Sequence, residues 1–138
     1  MFKPYLILGI TAGALASIVS CTFAYLFNQN LLDFSQVMPY WKIISVDFSL
    51  SLLAVGIYFG LGKLSKRYNK TIFNSLFALC SIASVLVPIT AKFPDLEFPE
   101  FYPTFAIPLH LFFSVIFLAL SSILIKDEIS HDQNAHKY

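Results

Sequence analysis

The sequence predicts an all-α protein, a bundle of four transmembrane helices with the N- and C-termini cytoplasmic. The first observation behind this is composition: of the 138 residues, 57% are hydrophobic and 12% are charged, with a mean hydropathy of +0.72. An ordinary soluble domain is about 45–50% apolar and about 25% charged. A chain this short has too much surface for its volume to bury such an excess in a soluble core, so the hydrocarbon of a bilayer is its natural environment.

The second observation is that four apolar stretches are long enough to cross a bilayer, which takes roughly 20 residues per helix. None of them contains Lys or Arg, and only the second contains an acid. Backbone groups in lipid must be hydrogen-bonded within the segment, so each stretch is expected to be a helix. The predicted spans are residues 5–27, 43–62, 71–91 and 105–125, within a transmembrane domain of residues 1–126 that is followed by a polar cytoplasmic tail, 127–138.

The distribution of Lys and Arg predicts the orientation, because cytoplasmic segments carry an excess of these residues. With four spans, seven basic residues fall on one side of the membrane and only Lys42 and Lys92 fall on the other. The acids agree, since four of them lie on the side with fewer basic residues. The seven are Lys3, Lys63, Lys66, Arg67, Lys70, Lys126 and Lys137, and the four acids are Asp33, Asp95, Glu97 and Glu100.

Cys21 raises one alternative for the first span. The residues Ile18-Val19-Ser20-Cys21 resemble a lipoprotein cleavage site, but residues 22–27 continue the apolar run where a mature lipoprotein turns polar. We therefore expect the segment to stay as a helix. Cys80 lies near the middle of the third span, at a different depth from Cys21, so we expect two free thiols and no disulfide.

Small residues recur every fourth position, a spacing that lets helix backbones approach each other closely. In the first span they form one row flanked by a second, and the second span repeats the motif near its cytoplasmic end. Close packing within the bundle explains these rows, and a face that recruits a second protomer is the alternative. The predicted packing face comprises Gly9, Gly13, Ser17, Cys21, Gly56 and Gly60, and the flanking row comprises Ala12, Ala16, Ser20 and Ala24.

Asp47 and His110 are the two ionisable residues within the spans, where such groups are costly and often functional. Pro103 and Pro108 are expected to delay the fourth helix, which would place His110 in its first turn or two, level with Asp47. The two side chains would then be able to meet, with Ser51 and Ser114 extending a polar stripe. The interpretation we favour is a structural hydrogen bond that fixes helix register; the functional alternative is a proton- or cation-coupled site or an outward-opening pocket.

The outer loop of residues 93–103 alternates aromatic, acidic and proline residues, which disfavours a helix. Its aromatic side chains, together with those of Tyr40 and Trp41, are expected to form an interfacial belt that anchors the bundle. A lid over a pocket is the alternative function for this loop. The residues assigned to this lid or anchor are Trp41, Phe98, Glu100 and Tyr102.

Four short motifs resemble those of an uncharacterised family of small bacterial four-helix inner-membrane proteins. They are Thr11-Ala12-Gly13, Met38-Pro39, Phe98-Pro99 and Pro108-Leu109-His110. The resemblance implies the four-span topology and a location in the bacterial inner (plasma) membrane, and it implies no activity.

The predicted function is therefore that of a non-enzymatic membrane subunit acting through lipid or protein partners, in a homo-oligomer or a larger complex. The alternative is a small oligomeric transporter or channel with Asp47 and His110 at its polar site. A net charge of +1 gives no reason to expect nucleic acid as a partner. The spans contain no second His and no Cys-x-x-Cys pair, so the sequence predicts no cofactor and no metal site.

Overall fold

The computed structural model describes residues 3–64, 69–92 and 98–124, and within them it contains helices and no strands. The helices are α1 (Lys3–Asn30), α2 (Tyr40–Leu64), α3 (Asn69–Ser84), α4 (Leu86–Thr90) and α5 (Tyr102–Leu124), with a 3-10 turn at Pro99–Phe101. The predicted all-α class is confirmed. Several predicted features lie outside the described residues: Lys66, Arg67, the acids of residues 93–97 and the tail from residue 125.

Four helical stretches in this part of the chain are long and apolar enough to cross a membrane. They are Lys3–Asn30, Tyr40–Leu61, Thr71–Thr90 and Pro99–Leu124. Each coincides with a predicted span, so the multi-pass architecture follows from the sequence. We call the end of the bundle that carries residues 31–39 and Pro99–Phe101 the loop end, and the opposite end, where Lys3 lies, the terminal end.

The helices pack in a ring in the order α1, α2, α3, α5, and α5 closes the ring against α1. The contacts of α1 with α2 and α5 are the most extensive, and α1 is also the most buried span. The third span is the least buried: 11% of the residues in its most apolar stretch are buried, against 39% for α1. One side of the bundle is therefore well packed, and the other presents a nearly bare apolar helix.

Proline interrupts the third span, which the sequence predicts as one helix over residues 71–91. The helix breaks at Val85, between α3 and α4. Pro88 has no N–H to donate to the carbonyl oxygen of Ser84, and its ring would clash with that carbonyl in a continuous helix. The result is a short second segment, α4, which packs on α5.

Pro103 and Pro108 do not delay the start of α5, so the expectation stated for the fourth helix is wrong. The helix begins at Tyr102 rather than at residue 105, with Pro103 in its first turn and Pro108 inside it. A proline in the first turn costs no helical hydrogen bond, because the N–H groups there have no intrahelical partner. His110 consequently lies eight residues into the helix, about 12 Å from its start at ~1.5 Å per residue, in the third turn.

Two hydrophobic clusters fill the interior. The terminal-end cluster joins α1, α2, α3 and α5 and contains Leu8, Ala12, Ala16, Ala54, Val55, Tyr58, Phe73, Phe113 and Phe117. The loop-end cluster contains Ala24, Phe27, Phe34, Ile43, Tyr102, Phe105, Ala106 and Leu109. Between the two clusters, α2 and α5 carry the two ionisable residues of the spans.

Candidate functional site

Asp47 is buried in the middle of the bundle, with 5% of its surface exposed. It lies on α2, seven residues after Tyr40, or about 10 Å into the helix at ~1.5 Å per residue. Ser20 of α1, which is fully buried, is close enough to interact with the carboxyl group. Yet neither Ser20 Oγ nor Asp47 Oδ2 meets the geometry of a hydrogen bond with any described residue. Asp47 thus has a buried carboxylate oxygen, Oδ2, that the described residues leave without a hydrogen-bond partner.

Asp47 and His110 line the same cavity, as the sequence predicts for two residues at similar depth. The cavity has a volume of about 50 Å³. No hydrogen bond or ion pair joins the two side chains directly in the described part of the chain. The remaining lining residues are mostly apolar: Met38, Ile43, Val46, Leu50, Tyr102, Ala106, Leu109 and Phe113.

The cavity reaches the side of the bundle between α2 and α5. Val46 and Leu50 line it, yet these side chains are 44% and 36% exposed on the outer surface of α2. In this half of the bundle α4 packs on α5, whereas α2 packs mainly on α1 and α3. The cavity edge therefore meets the apolar surface that lipid would cover, and Met38 from residues 31–39 covers it at the loop end.

Ser51 and Ser114 do not extend the polar stripe into this cavity, which corrects that part of the predicted site. Ser51 is fully buried and donates a hydrogen bond to the carbonyl oxygen of Gly9 in α1, at 2.6 Å. Ser114 donates to the carbonyl oxygen of His110, one turn earlier in its own helix, at 3.0 Å. Both hydroxyls are therefore used by backbone acceptors, and neither lines the cavity.

Ser20 is the polar residue that sequence reasoning assigned only to a row of small residues. That row, Ala12, Ala16, Ser20 and Ala24, is completely buried in the structure. A hydroxyl on the most buried face of a transmembrane helix needs a partner, since an unsatisfied polar group in hydrocarbon is costly. The burial of its neighbours at four-residue spacing was thus the available signal that Ser20 faces another polar group.

The predicted packing face divides into two parts. Gly9 and Gly13 lie against α2, because a Cβ on Gly9 would be 3.1 Å from Val55 Cγ2 and one on Gly13 would be 3.1 Å from Phe48 Cδ1. Ser17 is buried and donates to the Gly13 carbonyl oxygen, and Cys21 is half-buried. Gly9 and Gly13 therefore lie at a close contact between α1 and α2.

Gly56 and Gly60 correct that interpretation for the second helix. Both are exposed, and a Cβ on either would have no described atom within 4 Å. These two glycines face away from the rest of the chain, so packing within the bundle does not account for them.

The predicted lid or anchor residues also divide. Trp41 is 64% exposed and Phe98 is 41% exposed, and Glu100 is exposed on the 3-10 turn. None of these three lines the Asp47 cavity. Tyr102 does line it and is only 8% exposed, because its ring packs against that of Phe34 in the interior.

Phe98 instead borders a second, apolar cavity of about 430 Å³ at the loop end, lined by Phe27, Leu31, Leu32, Phe98, Phe101 and Thr104. Phe98 and Phe101 thus lie over a different part of the bundle from the Asp47 cavity. Residues 93–97, which form the rest of the predicted lid, lie outside the described part of the chain.

No group of three or more His, Cys, Asp or Glu side chains in the described residues is arranged to hold a metal ion. Cys21 and Cys80 are both free, as predicted. Compared with known proteins, the chain matches no family model, and no curated protein and no solved structure shows significant similarity to it.

Proposed function

We propose that the protein is a non-catalytic helical-bundle subunit of a bacterial inner membrane, with both termini cytoplasmic, that acts through a partner membrane helix. The positive charges on one side of the four spans support the orientation. The short motifs in α1 and α5, together with Met38-Pro39 before α2 and Phe98-Pro99, support the bacterial setting. The observation that carries the proposal is the contrast between the two pairs of glycines.

Gly9 and Gly13 show how this chain uses glycines four residues apart. Val55 and Phe48 of α2 fill the space above them, so α1 and α2 approach closely. Gly56 and Gly60 form the same motif on α2, yet nothing in the described chain fills the space above them. In a membrane, where lipid tails are as apolar as leucine, such a furrow favours association through close packing with another helix.

The interior of a single chain offers little for transport. The loop-end cluster stacks Phe34 on Phe105 with ring centroids 5.3 Å apart, and Phe27 packs on Phe105 at 5.3 Å. On the other side of the cavity, Phe77 stacks on Phe117 at 5.0 Å. Aromatic side chains thus fill the bundle on both sides of Asp47, which favours a subunit role over a conduit through one copy.

The test is purification of the full chain in mild detergent, with mass measurement and identification of stoichiometric companions. We expect a companion chain or a defined homo-oligomer that is lost in the double variant Gly56→Leu/Gly60→Leu. Ala119→Leu, which enlarges an exposed small residue on α5, should leave the assembly intact. A wild-type chain that is repeatedly isolated alone as a monomer would overturn the proposal.

A second candidate function is proton- or cation-coupled transport by an oligomer, with Asp47 and His110 at the polar site. The buried carboxylate oxygen without a partner favours it, because ionisable groups inside a bundle commonly mark ion pathways. The test measures proton or cation flux in proteoliposomes that contain the wild type or Asp47→Asn. We expect flux that Asp47→Asn abolishes, and wild-type flux no greater than in protein-free vesicles would exclude this candidate.

A further inference from the structure

We propose that the cavity between α2 and α5 holds internal water that hydrogen-bonds to both Asp47 and His110 and joins them into one proton-sharing pair. This inference does not depend on transport or on a partner helix, because a hydrated pair of this kind is a property of the single chain. It is supported by the unpartnered polar atoms, the size of the cavity and the neighbouring titratable groups.

The buried carboxyl group of Asp47 needs a further hydrogen-bond donor. Asp47 is 5% exposed, and its Oδ2 has no hydrogen-bond partner in the described residues. Buried polar groups in proteins are nearly always hydrogen-bonded, to protein or to ordered water. Ser20 of α1 interacts with the carboxyl group, but Oδ2 still has no hydrogen-bond partner among the described residues. Water is the donor that remains.

The space fits water and little else. A volume of about 50 Å³ has room for roughly one to three water molecules and is too small for a drug-sized ligand, whose pockets are about 300–1,000 Å³. Internal water also needs two to four polar partners. Asp47 of α2 and His110 of α5 supply two, and Tyr102 is a third lining side chain with a polar group.

The neighbouring groups leave His110 as the proton partner of Asp47. From α1, the Cys21 thiol and the Ser20 hydroxyl face the carboxyl group. From α5, His110 and Tyr102 face it, and the segment 31–39 contributes only Met38. The nearest lysine along the chain, Lys42, directs its Nζ to the carbonyl oxygen of Val37 at 3.1 Å. Among the described residues in the cavity wall, the imidazole is thus the basic group.

Two ionisable groups joined through water do not titrate independently. When their interaction exceeds about one pH unit, protons leave the pair in two steps that belong to the pair rather than to either residue. A proton taken up by the pair would therefore be shared between α2 and α5. Loss of either side chain would change how the other titrates.

The experiment uses the full chain in lipid nanodiscs, with infrared spectra of the carboxyl band and NMR of labelled imidazole nitrogen across a pH series. Asp47→Asn and His110→Gln assign the signals, and Ser114→Ala, whose hydroxyl lies outside the cavity, is the control. In the wild type we expect both signals to change at common midpoints. In His110→Gln the Asp47 midpoint should differ from wild type by about one pH unit or more, and Ser114→Ala should match wild type.

A measurement on the wild type alone keeps the test independent of how the variants fold. Exchange into ¹⁸O-labelled water should shift an O–H stretching band whose intensity follows the Asp47 titration. Separate midpoints for the two residues would overturn the proposal. Coupled midpoints without an isotope-sensitive water band would also overturn it, because the coupling would then not pass through water.

Discussion

The hydroxyl of Ser51 donates a hydrogen bond to the carbonyl oxygen of Gly9 at 2.6 Å, and this bond ties α2 to α1 in the apolar interior. The approach is possible because Gly9 has no side chain and Val55 of α2 fills the space above it. A polar residue that the sequence assigns to a functional stripe thus proves to be part of helix packing. The same close contact leaves Asp47, four residues earlier on α2, facing the cavity and Ser20.

Ser51→Ala should weaken the attachment of α2 to α1. We expect a loss of about 0.6 kcal/mol, and at most about 1.7 kcal/mol, in the free energy of unfolding, the range found for hydrogen bonds between membrane helices. The measurement is reversible unfolding in bicelles. Ser45→Ala is the matched control, because exposed Ser45 donates only to the Trp41 carbonyl oxygen of its own helix. Equal losses in both variants would contradict an interhelical role for Ser51.

Gly13→Leu should separate α1 from α2. A Cβ at this position would be 3.1 Å from the Phe48 ring and 3.4 Å from Phe48 Cα, and the backbone atom yields only if the helix moves. We expect a destabilisation of about 1–3 kcal/mol or more, the range for overpacked sites. Gly56→Leu makes the same change in open space and should leave the stability of the isolated chain nearly unchanged.

Phe34→Ala should loosen the loop end. Phe34 is 2% exposed and its ring packs against those of Phe27, Tyr102 and Phe105 at 5.3–6.1 Å. Removing a buried phenylalanine side chain costs about 3–5 kcal/mol in soluble cores. We expect a loss near the lower figure, measured by thermal unfolding in detergent. Leu31→Ala, which truncates a 68% exposed side chain nearby, should change the unfolding temperature little.

Acid should release the turn at Asp33. The backbone N–H of Ser35 donates to Asp33 Oδ1 at 2.8 Å, and this hydrogen bond lowers the pKa of the carboxyl group below its ordinary value of 3.8. Since the folded-state pKa is lowered, the stabilisation is present above the ordinary value and is lost as the pH falls through the lowered one.

We expect the Ser35 amide resonance in micelles to titrate with a midpoint below 3.8, and Asp33→Asn to abolish that titration. A midpoint at 3.8 or above would show that the turn does not hold the ionised carboxylate.

At the loop end, the sequence alone did not predict which aromatic residues are buried. Phe34 sits in a connection between two spans, and nothing in its pattern distinguishes it from Phe98 or Phe101 in the other. The structure buries Phe34 between α1 and α5 while Phe98 and Phe101 stay 41% and 48% exposed. Burial of a loop aromatic depends on how far apart the neighbouring helices stand, which local sequence does not encode.

The candidate site follows the same division. The sequence by itself determined the four spans and the presence of one acid and one histidine within them, because the bilayer demands long apolar helices and makes each exception conspicuous. Only the tertiary structure decided that Asp47 and His110 line one cavity, that Ser20 interacts with Asp47, and that Ser51 bonds to Gly9 instead. Those outcomes depend on the rotation and separation of the packed helices. Contacts such as those of Phe48 with Gly13 and of Val55 with Gly9 fix that geometry.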